Sequence, residues 1–174
     1  EFRRVLFRSS WLVIDLAMAM SHAGIWLLWW TRPSRVLLVN PEMLEQQYQK
    51  RLLDFTRKRG LVNGRTPEGV FVATDLDLRL DTAFGVSQLE QAIVQQHIEV
   101  VILDGLFKFV TTDVVSGADA RRLIDNVDRM RQKYNTTFII VHHTRQGIYD
   151  PTEGRTVQLG TAEMYGSNFY RDWA

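Results

Sequence analysis

Short runs of consecutive apolar residues alternate with longer stretches whose apolar residues recur every three or four positions. Val100-Val-Ile-Leu103 runs straight into Asp104, and Arg35-Val-Leu-Leu-Val39, Val70-Phe-Val-Ala-Thr74 and Phe138-Ile-Ile-Val141 repeat that form. A strand apolar at every position has both faces covered, as in the parallel sheet of an α/β protein. Between these strands the spacing predicts helices. Ser10 to His22 is apolar on nearly every side apart from Asp15 and stops near Ala23-Gly24, so it reads as a buried helix. A second helix begins with Asn40 as N-cap and Pro41 as its first residue, carries the stripe Leu44, Tyr48, Leu52 and Phe55, and runs to about Arg59, where Gly60 stops it. Ser87 to Gln96 forms a short helix with Leu89, Ala92 and Ile93 inward, and Asp119 to Tyr134 a longer one striped by Leu123, Val127, Met130 and Tyr134.

The connections read as polar loops: Asp75 to Gly85, Thr111 to Ala118, and a glycine-containing, mobile Gln146 to Thr161. Ile25 to Trp30 fits either an edge strand or a packed loop. Its tryptophans, Trp26, Trp29 and Trp30, suit packing or a subunit contact better than a base-stacking platform. Strand and helix alternate throughout, with no repeat, so the expected architecture is a mostly parallel sheet with helices on both faces.

At 174 residues the chain is the size of one domain, and 45% hydrophobic content is enough for a core. A net charge of +1 makes no global demand for nucleic acid. Zero cysteines exclude disulfides, a cysteine nucleophile and thiolate metal sites, and fit a cytoplasmic protein. Trp11 to Trp30 is long enough to span a bilayer, but Asp15 would cost about 2.5–3.5 kcal/mol near its centre, and His22 and Gly24 interrupt the run. No membrane association is expected.

The first nine residues fit no pattern that follows. Val5-Leu-Phe-Arg-Ser9 back-translates to GTG CTC TTC CGA TCT, the text of a common sequencing adapter. Residues 1–9 are therefore set apart as non-native, and residues 10–174 are read as part of a longer domain.

In open parallel sheets, ligands sit just beyond the carboxyl ends of the strands. Asp104 projects there, and a carboxylate in that position suits Mg²⁺ directly or through water. A cap for the Asp104-Gly105 turn explains the same residue equally well.

Three segments together resemble the RecA-like motor domain of the plasmid RepA-type hexameric replicative helicases and their phage relatives. Ser10-Trp-Leu-Val-Ile-Asp-Leu-Ala17 resembles the helix that follows a phosphate loop of the form GKSWL; Val100-Val-Ile-Leu-Asp104-Gly-Leu-Phe-Lys108 resembles the Walker B strand; Ile139-Ile-Val-His-His-Thr-Arg145 resembles a sensor strand ending in a histidine pair. The likeness spans Ser10 to Ala174. It departs from the family at one point, because Ser9 stands where the phosphate-loop lysine belongs and Arg8 where the preceding glycine belongs. The first strand and the phosphate loop are expected to be missing.

The resemblance implies an ATP- and Mg²⁺-dependent ring motor on single-stranded DNA, a homo-hexamer with ATP sites between subunits. Ser10 and Asp104 would hold the metal. Glu42 would polarise the attacking water, although an acid in the first turn of a helix is also favoured by the dipole alone. His143 would sense the γ-phosphate, with His142 next to it on the opposite face; two packed histidines are the plainer alternative. Arg145 would bridge the nucleotide and DNA, and Arg155 would meet DNA phosphates or lie in an ordinary solvated loop. The arginine finger is expected beyond Ala174, with Arg171 a poor substitute. Without the lysine, the phosphate cradle and the finger, this chain is expected to hydrolyse ATP negligibly. Three other readings stand beside the motor: a recombinase-like or regulatory ATPase without unwinding activity, a metal-dependent hydrolase using His142, His143 and Asp104, and a non-catalytic nucleotide-binding or oligomerisation module.

Overall fold

The computed structural model describes residues 8–61, 68–74, 77–111, 117–141, 148–150 and 155–157. Four parallel strands form the central sheet: β3 (Val36–Val39), β4 (Val70–Ala73), β5 (Val100–Asp104) and β6 (Thr137–Val141), in the order β4-β3-β5-β6. Every residue of β3 and β5 is buried, as uninterrupted apolar runs require.

Side-chain alternation divides the core into two layers. Leu37, Val39, Val101 and Leu103 pack with α3 (Ala83–Gln95) and α4 (Gly117–Tyr134). Val36, Leu38, Val100 and Ile102 face α1 (Arg8–Ser21) and α2 (Glu45–Lys58). Helices thus cover both faces, and the α/β architecture is consistent with a RecA-like fold.

Several boundaries differ from the sequence expectation. The second helix begins at Glu45, not Pro41, and its N-cap is Leu44, which makes no side-chain cap. Asn40 instead accepts from the backbone N–H groups of Glu42 and Met43 at 2.9 and 3.0 Å, closing a turn between strand and helix. Leu44 therefore falls off the buried stripe and is 70% exposed, while Tyr48, Leu52 and Thr56 face inward. The third helix starts at Ala83, earlier than expected, because Thr82 accepts from the Gly85 N–H and caps it.

Ile25 to Trp30 forms a minimal antiparallel hairpin, β1 (Ile25–Trp26) and β2 (Trp29–Trp30), apart from the main sheet. It is tied down at its base. Thr31 donates to the carbonyls of Ala19 and Gly24, and Arg59 bonds both Asp15 and the Ile25 carbonyl. Trp29 and Trp30 are exposed, so the hairpin packs through Trp26 rather than through all three tryptophans. Within Gln146 to Thr161, expected as mobile loop, β7 (Ile148–Asp150) and β8 (Arg155–Val157) pair antiparallel. No helix among the described residues is long and apolar enough to cross a membrane, since α1 ends at Ser21.

Candidate functional site at the carboxyl ends of β3 and β5

The chain enters the sheet at β3, moves outward to β4, then returns across β3 to form β5 and β6. The connection leaving β3 runs through α2 on one face, and the connection leaving β5 runs through α4 on the other. The carboxyl ends of β3 and β5 therefore flank the point where strand order reverses, the crevice that open α/β sheets use for ligands.

Register decides which side chains meet there. Val39 lies beside Leu103 in the parallel pairing, so the next residue, Asn40, comes level with Asp104. Both continue the alternation that turns Leu38 and Ile102 toward α1 and α2. Asn40 and Asp104 are buried, each 2% exposed, and the Asn40 amide donates to Asp104 Oδ2 at 2.7 Å. From α1, Ser10 donates its hydroxyl to the same oxygen at 2.5 Å, and it too is buried. One carboxylate oxygen thus joins residues 94 positions apart through two short hydrogen bonds, the closer of which lies in the range for O–H···O⁻.

Glu42 completes the rim. After Asp104 the backbone turns left-handed at Gly105, with φ of +96°, into a single turn of 3-10 helix at Leu106–Phe109. The Glu42 carboxyl lies over that glycine: a β-carbon there would stand 3.2 Å from its Cδ and Oε1. The turn closed by Asn40 supplies this placement. It also removes the dipole explanation for Glu42, because the acid in the first turn of α2 is Glu45.

Ser10, Glu42 and Asp104 therefore converge from three separate segments. His142, His143 and Arg145 lie outside the described residues. Arg155 opens β8, opposite Asp150, and its backbone alone is described. Two further residues belong to the site. From sequence Asn40 reads as a helix cap; the signal that finds it is its place two residues beyond Leu38, level with Asp104. Tyr48 is 1% exposed beneath the carboxylate layer, and burial, then the Asp104 charge, hold its phenol far above the ordinary range while Arg51 opposes them.

The oxygens of Ser10, Asp104 and Glu42 form a hard donor set. It fits Mg²⁺, which takes one or two carboxylates and completes its shell with water and phosphate oxygens. Among the described residues no group of three or more His, Cys, Asp or Glu is arranged to hold a metal by itself. A family model described as an AAA domain matches residues 10–147. No curated protein matches.

Proposed function

The chain belongs to the AAA domain family, and from that premise we propose that it is the ATP-hydrolysing motor domain of a RepA-type ring helicase acting on single-stranded DNA. The observation that carries the reading is the convergence on Asp104: a hydroxyl from the start of α1, an amide from the end of β3, and the Glu42 carboxyl over the adjacent glycine. A phosphate loop leading into Ser10 would deliver the terminal phosphates to the mouth of this crevice.

In this reading Ser10 and Asp104 hold Mg²⁺ and its hydration shell, which neutralises charge on the phosphate oxygens when bound. Asn40 keeps Asp104 oriented and, through its side-chain Oδ1, fixes the turn that carries Glu42. Glu42 orients the attacking water and accepts its proton. His143, with His142 beside it, senses the γ-phosphate. Arg145 links that response to DNA, Arg155 contributes a further phosphate contact, and the working unit is a homo-hexamer with ATP sites between subunits.

The test compares this 174-residue chain with a version in which a strand and a GxxxxGK loop precede Ser10 and the segment carrying the arginine finger follows Ala174. Magnesium-dependent ATP turnover and displacement of one strand from a forked duplex are expected only with the extended version. Turnover without unwinding would favour the recombinase-like or regulatory ATPase. Nucleotide binding without turnover would favour the non-catalytic module. Appreciable turnover by the 174-residue chain itself would overturn the role given to the missing lysine.

A further inference from the structure

Two buried polar groups on one face of α2 have no hydrogen-bond partner among the described residues. Tyr48 Oη and Arg51 Nη1 are both enclosed and unbonded there. The residues are three positions apart, hence neighbours on one helix face. Tyr48 packs against the layer of Leu38 and Ile102, the strand positions just before Asn40 and Asp104 on the same face. The Arg51 guanidinium sits 5.1 Å from the ring centroid of Trp11, the residue that follows Ser10. The pair therefore lies between the start of α1, α2 and the Asp104 end of β5.

A buried hydroxyl and a buried guanidinium N–H each cost about 1–3 kcal/mol or more when left unbonded. Groups of this kind in a native fold call for an explanation, commonly an ordered water or ion. A cation is disfavoured because the Arg51 guanidinium is itself positively charged. A second anion would be set against the Asp104 carboxylate. The Asp104 and Arg51 charges both act on the Tyr48 phenol, and a water molecule between the three groups would accept two hydrogen bonds and donate one, the usual number for a buried site.

We propose that Tyr48 and Arg51 hold one ordered water between α1 and α2, and that this water donates to the Asp104 carboxylate. Among the described residues it adds to the tethers from Ser10 and Asn40 one that originates on α2. Tyr48 and Arg51 are thus positioning residues, linking the helix behind Glu42 to the acid beside it. The inference concerns the folded chain and holds whether or not the family reaction occurs.

The sign of a single substitution tests it. If the Tyr48 hydroxyl has no acceptor, Tyr48→Phe removes an unsatisfied group and raises the urea midpoint of the 174-residue chain. If it bonds the water, Tyr48→Phe lowers the midpoint. Arg51→Met lowers it as well, and the double variant falls no further than the worse single, because both report one bound molecule. Arg51→Lys, which keeps a donor over Trp11, restores most of the loss. A raised midpoint for Tyr48→Phe, or strictly additive losses, overturns the proposal. Raman difference spectra, wild type minus Tyr48→Phe, are expected to show the doublet of a hydrogen-bond-donating phenol; a non-bonded doublet also overturns it. High-resolution diffraction from the wild-type chain supplies a reading that needs no variant: a water peak within hydrogen-bond distance of Tyr48 Oη, Arg51 Nη1 and Asp104 is expected, and a dry site is incompatible with the proposal.

Discussion

The carboxyl of Glu42 lies against Gly105, 3.2 Å from where a β-carbon would stand. Gly105 also holds φ at +96°, a conformation that costs other residues roughly 1–2 kcal/mol. Gly105→Ala is therefore expected to lower unfolding free energy by at least that backbone cost, and to push Glu42 off the rim. Urea denaturation reads the first effect. An unchanged midpoint would show that neither the backbone strain nor the contact is felt.

The Asn40 side chain makes three hydrogen bonds, one to Asp104 and two from the turn that precedes α2. Typical bonds contribute about 0.5–1.5 kcal/mol each, more where a charge is involved. Asn40→Ala should cost about 2–4 kcal/mol in unfolding experiments, well above the loss for an exposed polar residue. It should also release Glu42, because the turn loses its acceptor. A loss under about 1 kcal/mol would mean that the turn holds itself by its chain geometry alone.

Asp15 is the charge that interrupts the apolar stretch from Trp11 to Trp30, and its carboxylate meets the Arg59 guanidinium at 2.7 Å. Arg59 also donates to the Ile25 carbonyl at 3.0 Å, so the ion pair ties α1, the end of α2 and the hairpin together. With side chains only 16% and 26% exposed, the pair is screened less than an open surface bridge. Asp15→Asn is expected to cost about 1–2 kcal/mol, with the loss largely retained when salt is raised to about 1 M. Hydrogen exchange should rise first in the hairpin. A loss that vanishes in salt would place the pair among ordinary surface bridges.

The sheet was legible because fully apolar runs such as Val100 to Leu103 have no other soluble home than a two-sided parallel core. The same pattern put Asp104 at a strand end, and the structure places it there, buried and bonded to Ser10. What the pattern did not carry was register between strands. Asn40 precedes proline and a helix, so local chemistry assigned it to a cap. Its position level with Asp104, visible only once β3 and β5 are paired, assigns it to the acid. The start of α2 moved for the same reason: the turn closed by Asn40 delays the helix to Glu45 and exposes Leu44. The hairpin at Ile25 to Trp30 was undecidable because two-residue strands leave no period to read.

Glu42 is the residue on which the proposed chemistry turns, and the fold separates two explanations of it. A first-turn acid would be held by the helix dipole, and its replacement would cost a few tenths of a kcal/mol to about 1 kcal/mol of stability. Glu42 lies three residues ahead of α2, on a turn fixed by Asn40 and over Gly105. Glu42→Gln keeps the shape and the contact with Gly105 while removing the base, so the unfolding free energy should fall by no more than about 1 kcal/mol. In the version that carries the phosphate loop, ATP turnover should fall by about 10²–10⁴-fold, the range for loss of a general base, while ATP binding is spared. A destabilised protein with near-normal turnover would return Glu42 to a structural role and remove it from catalysis.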